Sequence, residues 1–350
     1  MTPYIYFKSL SKDKKKALRW QIPLLIVLIV GTAYIAMQQR NMPFQHNSGN
    51  VFGTTYNITY QYEENIETEI KEVLQKVDNS LSTFNESSVI SHVNRNESVE
   101  LDKMFVEVFD MARRVSDDTD GAFDITVAPM VNAWGFGFKN GTFPTTEAVD
   151  SLKRIVGYKK IKIADGKIIK DNPNIMLDCS AIAKGYGCDM VARLLQSKGI
   201  KNFMVEIGGE VVTSGISEKR LPWKIGVTKP TDDSLNINQE LQTVLNVTDM
   251  AMATSGNYRR FYYKNGRKYA HTIDPKTGMP VQHNILSATV ISKTCAIADA
   301  YATSFMVMGL EKTKKILERH PEMMAYIIYS DKNGNNSVWF SPSMKDKIVE

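Results

Sequence analysis

Apolar and polar residues alternate over 51–62, the two-residue period of a half-buried strand. The period then lengthens. Val73, Leu74, Val77 and Leu81 recur on one side of a helix expected over 66–84, and a second helix is expected over 103–117. Residues 121–145 are rich in Gly, Phe, Pro and Trp and predict a structured loop, and 155–177 predicts short strands around the hairpin signal Asp165-Gly166. The strongest helical pattern covers 181–198. Ile182, Tyr186, Met190, Val191, Leu194 and Leu195 form its apolar face, Asp178 or Ser180 can cap it, and Gly199 stops it. Strands are expected next at 203–207, 211–215 and 223–228, then a polar insert at 230–240, then strands near 241–247, 258–264, 267–273 and 285–291. Helices over 294–308 and 311–319, separated by Gly309, precede strands near 324–329 and 337–340. Hairpins interleaved with separate helices predict an α+β fold of mixed, largely antiparallel sheets with packed helices, not a doubly wound parallel sheet.

The first fifty residues follow a different pattern. Ile22 to Met37 is an uncharged, mostly apolar run, at the short end of the roughly 17–25 residues that span a bilayer. Trp20 and Tyr34 suit the two interfaces, and Pro23 fits a first helical turn. The net charge is +5, and residues 1–21 hold six basic residues against one acidic one, so the whole excess lies there. The remainder balances, which removes any electrostatic case for nucleic acid. A basic segment before an apolar run predicts a cytoplasmic tail over 1–21, a transmembrane signal anchor over 22–37 and a polar linker over 38–50. The domain over 51–343 then lies on the extracytoplasmic side of the cytoplasmic membrane. No small-residue cleavage site follows the apolar run and no Cys precedes Cys179, so an uncleaved anchor is expected ahead of a cleaved signal peptide. Cys179, Cys188 and Cys295 lack the spacing of zinc sites and read as small buried hydrophobes in helical contexts.

Candidate chemistry is confined to a few segments. Tyr269 to Gly278 carries His271 to the end of an alternating stretch and into a turn, with Asp274 suited to its first position, Pro275 to its second, and Gly278 to the backbone that follows. A histidine beside such a turn has a fixed ring, and imidazole exchanges protons near neutral pH. Taken alone, most histidines merely end a strand. Asp299 and Thr303 stand four apart on the helix over 294–308, so both leave one face and can meet one ion. A carboxylate and a hydroxyl are hard oxygen donors of the kind Mg²⁺ takes, although mid-helix Thr commonly bonds its own i−4 carbonyl. Lys184 lies one turn into its helix, where free N–H groups and a cation suit phosphate; the plainer alternative is a lysine reaching to solvent. Gly185 beside it is costly inside a helix and signals a close approach. Gly208-Gly209 opens no helix and reads as a tight turn. His46, His92, His283 and His320 have no partners at diagnostic spacing.

The stretch His271-Thr272-Ile273-Asp274-Pro275-Lys276-Thr277-Gly278 resembles the HxxDPxTG signature of the ApbE family, the FAD:protein FMN transferases. Four more segments resemble that family's motifs, all in its order. They are Leu81-Ser82-Thr83-Phe84 with Asn94, Gly121-Ala122-Phe123-Asp124 continuing to Trp134-Gly135-Phe136-Gly137, Asp178 with Ile182-Ala183-Lys184-Gly185-Tyr186, and Asp299-Ala300-Tyr301-Ala302-Thr303. The resemblance runs from about Phe52 to about Gly309. It implies an ApbE-like, T-fold-like catalytic domain over 51–343, with two subdomains and a flavin nucleotide between them. It implies FAD contacts from Phe84, Ala122, Phe123, Asp124, Asp178, Lys184 and Ile273, with Trp134 adding aromatic surface nearby. Phe84 replaces a commoner Tyr, which keeps stacking and removes a hydroxyl bond; Phe52 stands where Met is frequent. It further implies Mg²⁺ on Asp299, Thr303 and the backbone carbonyl of Ala181, with His271 as general base. Thr254-Ser255-Gly256-Asn257 resembles a family loop and reads as a turn.

The implied reaction is Mg²⁺-dependent transfer of the FMN half of FAD, here a substrate, to a threonine or serine hydroxyl of an exported acceptor, with AMP released. Acceptors of the family are subunits of quinone reductase or Rnf-type redox complexes. Two alternatives share the site: an FAD pyrophosphatase giving FMN and AMP, and a flavin-binding module that has no need of His271.

Overall fold

The computed structural model describes residues 12–137, 143–230, 240–257, 261–264 and 267–349. Nearly all of the polar insert expected at 230–240 and the first eleven residues of the basic tail lie outside the described residues. The chain divides into two units, Met1–Gln45 with Gln61–Glu64, and His46–Tyr60 with Asn65–Glu350. The first unit contains helix α1, Lys12–Asn41. It starts ten residues ahead of the apolar run, so Pro23 stands inside the helix and not in its first turn; the Lys, Ala, Leu and Arg residues before it are strong helix formers. Ile22, Leu24, Leu25, Ile26 and Val27 are exposed on it. No helix among the described residues is long and apolar enough to cross a membrane.

The second unit is α+β. Apart from Phe44, Gln45 and Gln61 at two strand ends, its elements begin with β1 Phe44–Val51, β2 Thr54–Gln61, α2 Glu67–Leu81, α3 Val89–Asn94 and α4 Lys103–Asp118. Next come α5 Ala128–Ala133, α6 Thr146–Lys153, β3 Ile161–Ala164, β4 Lys167–Lys170 and α7 Ala183–Ser197. The strands β5 Phe203–Ile207, β6 Glu210–Ser214, β7 Lys224–Thr228, β8 Leu241–Asn246, β9 Ala251–Gly256, β10 Phe261–Lys264, β11 Arg267–Ala270 and β12 Ile285–Ser292 follow. The last are α8 Cys295–Met308, α9 Leu310–Arg319, β13 Met324–Ser330 and β14 Asn336–Phe340.

Eight strands form one sheet in the order β1-β2-β5-β6-β9-β12-β13-β14, antiparallel at every pairing from β2 to β14. The two-residue period shows in β13. Ala325 and Ile327 join the helix-side core with Val290, Ile182, Tyr186 and Phe305, while Met324, Tyr326 and Ile328 join Ile291, Met252 and Leu245 on the other face. With both faces covered, β12 is buried at seven of its eight positions, five of the eight residues being apolar. Helix α8 packs on β9, β12 and α7, which brings the start of α7 and the middle of α8 together.

Other expectations change. Residues 44–50 of the expected linker form β1 together with Val51, because a hairpin turn at Phe52 and Gly53, both with positive φ, pairs this polar stretch with β2. Thr254, Ser255 and Gly256 are not a turn but the end of central strand β9, where Thr254 Oγ1 meets Thr289 Oγ1 of β12 at 2.9 Å. Residues 46–60 and 65–350 make one compact unit, and the cavity described below lies within it. The three cysteines are buried and free; Cys179 sits in the segment before α7, not in a helix.

Candidate active site

A cavity of about 940 Å³ opens beside the starts of α7 and β6, near the upper end of the range for ligand pockets. Phe84, Ala122, Phe123, Asp124, Asp178, Ala181, Lys184, His271, Ile273, Asp299 and Thr303 all line it. These eleven residues therefore reach one space. Trp134 does not. It is buried in a separate aromatic cluster, stacked on Tyr269 at 5.7 Å and edge-on to Phe143, and its indole N–H donates to the Gly278 carbonyl at 2.8 Å. Phe136 lines the cavity instead.

At one end of the cavity, α7 and α8 cross. The N–H of Gly185 donates to Asp299 Oδ2 at 3.1 Å, and the Lys184 ammonium lies 3.8 Å from the same oxygen and 3.1 Å from Glu210 Oε1. Burial works against the charge on Lys184, but the Asp299 and Glu210 carboxylates outweigh it and hold the ammonium above its ordinary pKa. Asp299 is 2% exposed; burial pushes its carboxyl up, against the pull of Lys184 and the Gly185 N–H. One turn further along α8, Thr303 Oγ1 hydrogen-bonds Ser255 Oγ of β9 at 3.0 Å. The close approach that Gly185 signalled is made by protein: a Cβ there would lie 2.4 Å from the carbonyl oxygen of Cys295.

Helix α7 begins with Ile182 at its N-cap and no side-chain cap. Asp178 turns back locally, its Oδ1 accepting from the N–H of Ser180 at 2.8 Å and from the Ser180 hydroxyl. The N–H groups of Ile182 and Ala183 both donate to the Cys179 carbonyl, so a preceding turn winds directly into the helix. Asp124 is buried, and Thr126 N–H, Thr126 Oγ1 and Tyr158 N–H all donate to it. Burial raises its carboxyl, with those bonds opposing. Phe84 is 70% exposed at the rim, where a ring can lie across it.

His271 follows β11 into the predicted turn. Asp274 Oδ1 accepts from the Lys276 N–H at 2.9 Å, the Gly278 N–H donates to the Asp274 carbonyl at 2.8 Å, and Gly278 adopts φ +70°. The neighbouring Thr272 hydroxyl donates to Asn257 Oδ1 at 2.7 Å, and the ring of Phe136 lies edge-on to His271 at 6.4 Å. The imidazole is thus carried by bonded backbone on both sides.

Among the described residues, no group of three or more His, Cys, Asp or Glu could hold a metal. Asp299, the Thr303 hydroxyl and the Ala181 carbonyl are hard oxygen donors beside one cavity, a set that fits a magnesium ion completing its shell with phosphate and water. Sequence reading missed two participants. Ser255 lay in a segment taken for a turn. Glu210 had one visible signal, a single acid opening an apolar strand after the Gly208-Gly209 turn.

A buried carboxylate and a half-buried hydroxyl on one helix, an ammonium on the first turn of another and an aromatic rim suit a phosphorylated, ring-bearing ligand. The model of the ApbE family matches residues 52–328, and the chain belongs to that family. The FAD:protein FMN transferase of Vibrio cholerae is 38% identical over 297 residues, covering 82% of this chain and 88% of that protein. The FAD:protein FMN transferase of Haemophilus influenzae is 34% identical over 342 residues, covering 93% and 97%. The solved flavin transferase ApbE from Vibrio cholerae superposes with a TM-score of 0.79 at 36% identity, over 87% of this chain and 99% of that one. The apo flavinyl transferase ApbE of Pseudomonas stutzeri gives 0.78 at 27% identity, over 87% and 97%.

Proposed function

We propose that this protein transfers the FMN moiety of FAD to a threonine or serine hydroxyl of an acceptor protein and releases AMP. The observation that carries this reading is that His271, Lys184 and the Asp299–Thr303 pair all face one cavity large enough for a dinucleotide. In the reaction a bond forms between the acceptor oxygen and the phosphorus of the FMN half, and the phosphorus–oxygen bond to AMP breaks. An unaided hydroxyl is a weak nucleophile, and His271 takes its proton as the bond forms. Lys184 and the first turn of α7 attract the phosphate oxygens. Phe84 supports the ring at the rim, and Ala122, Phe123 and Ile273 supply apolar wall. Magnesium, held by Asp299, Thr303 and the Ala181 carbonyl, supplies charge stabilisation to the phosphates when bound.

The basic segment and apolar run that end in α1 support a signal anchor with its N-terminus in the cytoplasm. The site and its acceptor then lie outside the cytoplasmic membrane, and the acceptor is an exported subunit of the quinone reductase or Rnf type. Co-expression with such a subunit, followed by mass spectrometry, tests the reading. Addition of one FMN to a threonine or serine peptide is expected. FAD consumed to FMN and AMP with the acceptor unmodified would make the protein a pyrophosphatase instead.

A further inference from the structure

Glu210 has no role in the reading above, yet it is 3% exposed and lines the cavity beside Lys184, Asp299 and Thr303. Its two oxygens differ. Oε1 meets the Lys184 ammonium at 3.1 Å, while Oε2 is buried and has no hydrogen-bond partner. Buried polar atoms are almost always paired, and an orphaned one calls for a partner that arrives from elsewhere. The backbone that carries the carboxylate is also held in place. Glu210 pairs with Ile207 across the two-residue Gly208-Gly209 turn, and its carbonyl accepts from Cys188 Sγ at 3.2 Å. Oε2 therefore stays in the wall, next to the groups expected to meet phosphate.

We propose that Glu210 is a substrate-binding residue whose Oε2 accepts a hydrogen bond from an O–H group that enters with the nucleotide; this rests on the FMN-transfer reading. When Glu210 is ionised a phosphate oxygen is unsuited, because two anionic oxygens repel. Two donors share the required chemistry: a ribityl or ribose hydroxyl of FAD, and a water carried by the divalent ion. A carboxylate acceptor makes a charge-assisted bond with either.

The test uses the full-length protein and Glu210→Gln, which keeps the shape and an oxygen for Lys184 but sets an amide donor or a neutral acceptor where the free oxygen was. FAD binding is followed by flavin fluorescence with divalent ions chelated, and Mn²⁺ binding is followed by calorimetry without FAD. A melting temperature near that of wild type separates lost contact from lost fold. The expected result is a loss of about tenfold in one of the two affinities. Weaker ion-free FAD binding identifies the hydroxyl, and weaker Mn²⁺ binding identifies the ion-held water. If Glu210→Gln does not fold, Glu210→Asp, which keeps the charge and withdraws the oxygen, carries the same expectation. Both affinities within about twofold of wild type in a folded variant overturn the assignment and leave FMN transfer standing. Wild-type protein that binds neither FAD nor Mn²⁺ overturns both.

Discussion

Gly185 of α7 lies so close to Cys295 of α8 that a Cβ would stand 2.4 Å from its carbonyl oxygen and 2.6 Å from its carbonyl carbon. The same approach lets the Gly185 N–H reach Asp299, while Asp189 of α7 accepts from the Cys295 and Ala296 N–H groups at 2.8 and 2.9 Å. Helix α8 has no side-chain cap of its own, so its first turn is capped from the neighbouring helix. The helix crossing and the site are one construction.

Gly185→Ala should therefore damage both. Backbone cannot yield as a flexible side chain can, and overpacking of this kind costs about 1–3 kcal/mol. Urea unfolding should show that loss, and transfer activity measured at full Mg²⁺ should fall with it. Unchanged stability would mean that the crossing relaxes freely.

Asp299→Asn should weaken Mg²⁺ binding and suppress turnover, with partial rescue at high Mg²⁺, because one hard anionic donor is lost while the shape remains. Titrating Mg²⁺ against rate checks this. Equal rates for variant and wild type at low Mg²⁺ would remove Asp299 from the ion's shell.

His271→Ala should bind FAD as wild type does and fail to modify the acceptor. The turn from Asp274 to Gly278 keeps its own hydrogen bonds without the ring, so the fold has no reason to change. Single-turnover flavinylation measures the loss, and a rate within about tenfold of wild type would place the general base elsewhere.

The pH dependence of stability should carry a signature of Glu210. Burial raises its carboxyl from 4.5 to about 7, with Lys184 pulling the other way. Between those values the folded protein binds the proton more tightly than the unfolded chain. The stabilising contribution is thus fully present below 4.5 and is lost as pH rises through about 7. Glu210→Gln should flatten unfolding free energy against pH across that window. A slope equal to that of wild type would assign the titration to another group.

A reporter active only after export, fused after Glu350, should be active and remain with membranes if the basic segment and apolar run act as an anchor. Activity recovered in the soluble exported fraction would show cleavage. A working cytoplasm-only reporter would reverse the topology.

Local pattern alone marks α7, α8, the Asp165-Gly166 hairpin and the turn after His271, because helix period, turn residues and caps act over a few positions. The motif residues on these elements were legible through their resemblance to the ApbE motifs, since spacing alone left plainer readings open for His271, Lys184, Asp299 and Thr303. They stand at short, regular spacings, such as Asp299 and Thr303 one helical turn apart. Tertiary structure decided what pairs across long separations. β1 is polar and β9 ends in Thr, Ser and Gly, so neither announces a strand; each becomes one because neighbours complete its hydrogen bonds. Asp178 looked like a helix cap and instead closes its own turn. Trp134 sits within a motif stretch yet faces a separate core, since the burial of a side chain depends on what packs over it. Glu210, whose one sequence signal was its place at the start of β6, met Lys184, 26 positions earlier in the chain, only through the fold. Sequence by itself determined which groups this protein has for its chemistry and on which elements they ride. Which of them meet was left to the fold, because burial and ion pairing depend on distance in space and not on distance along the chain.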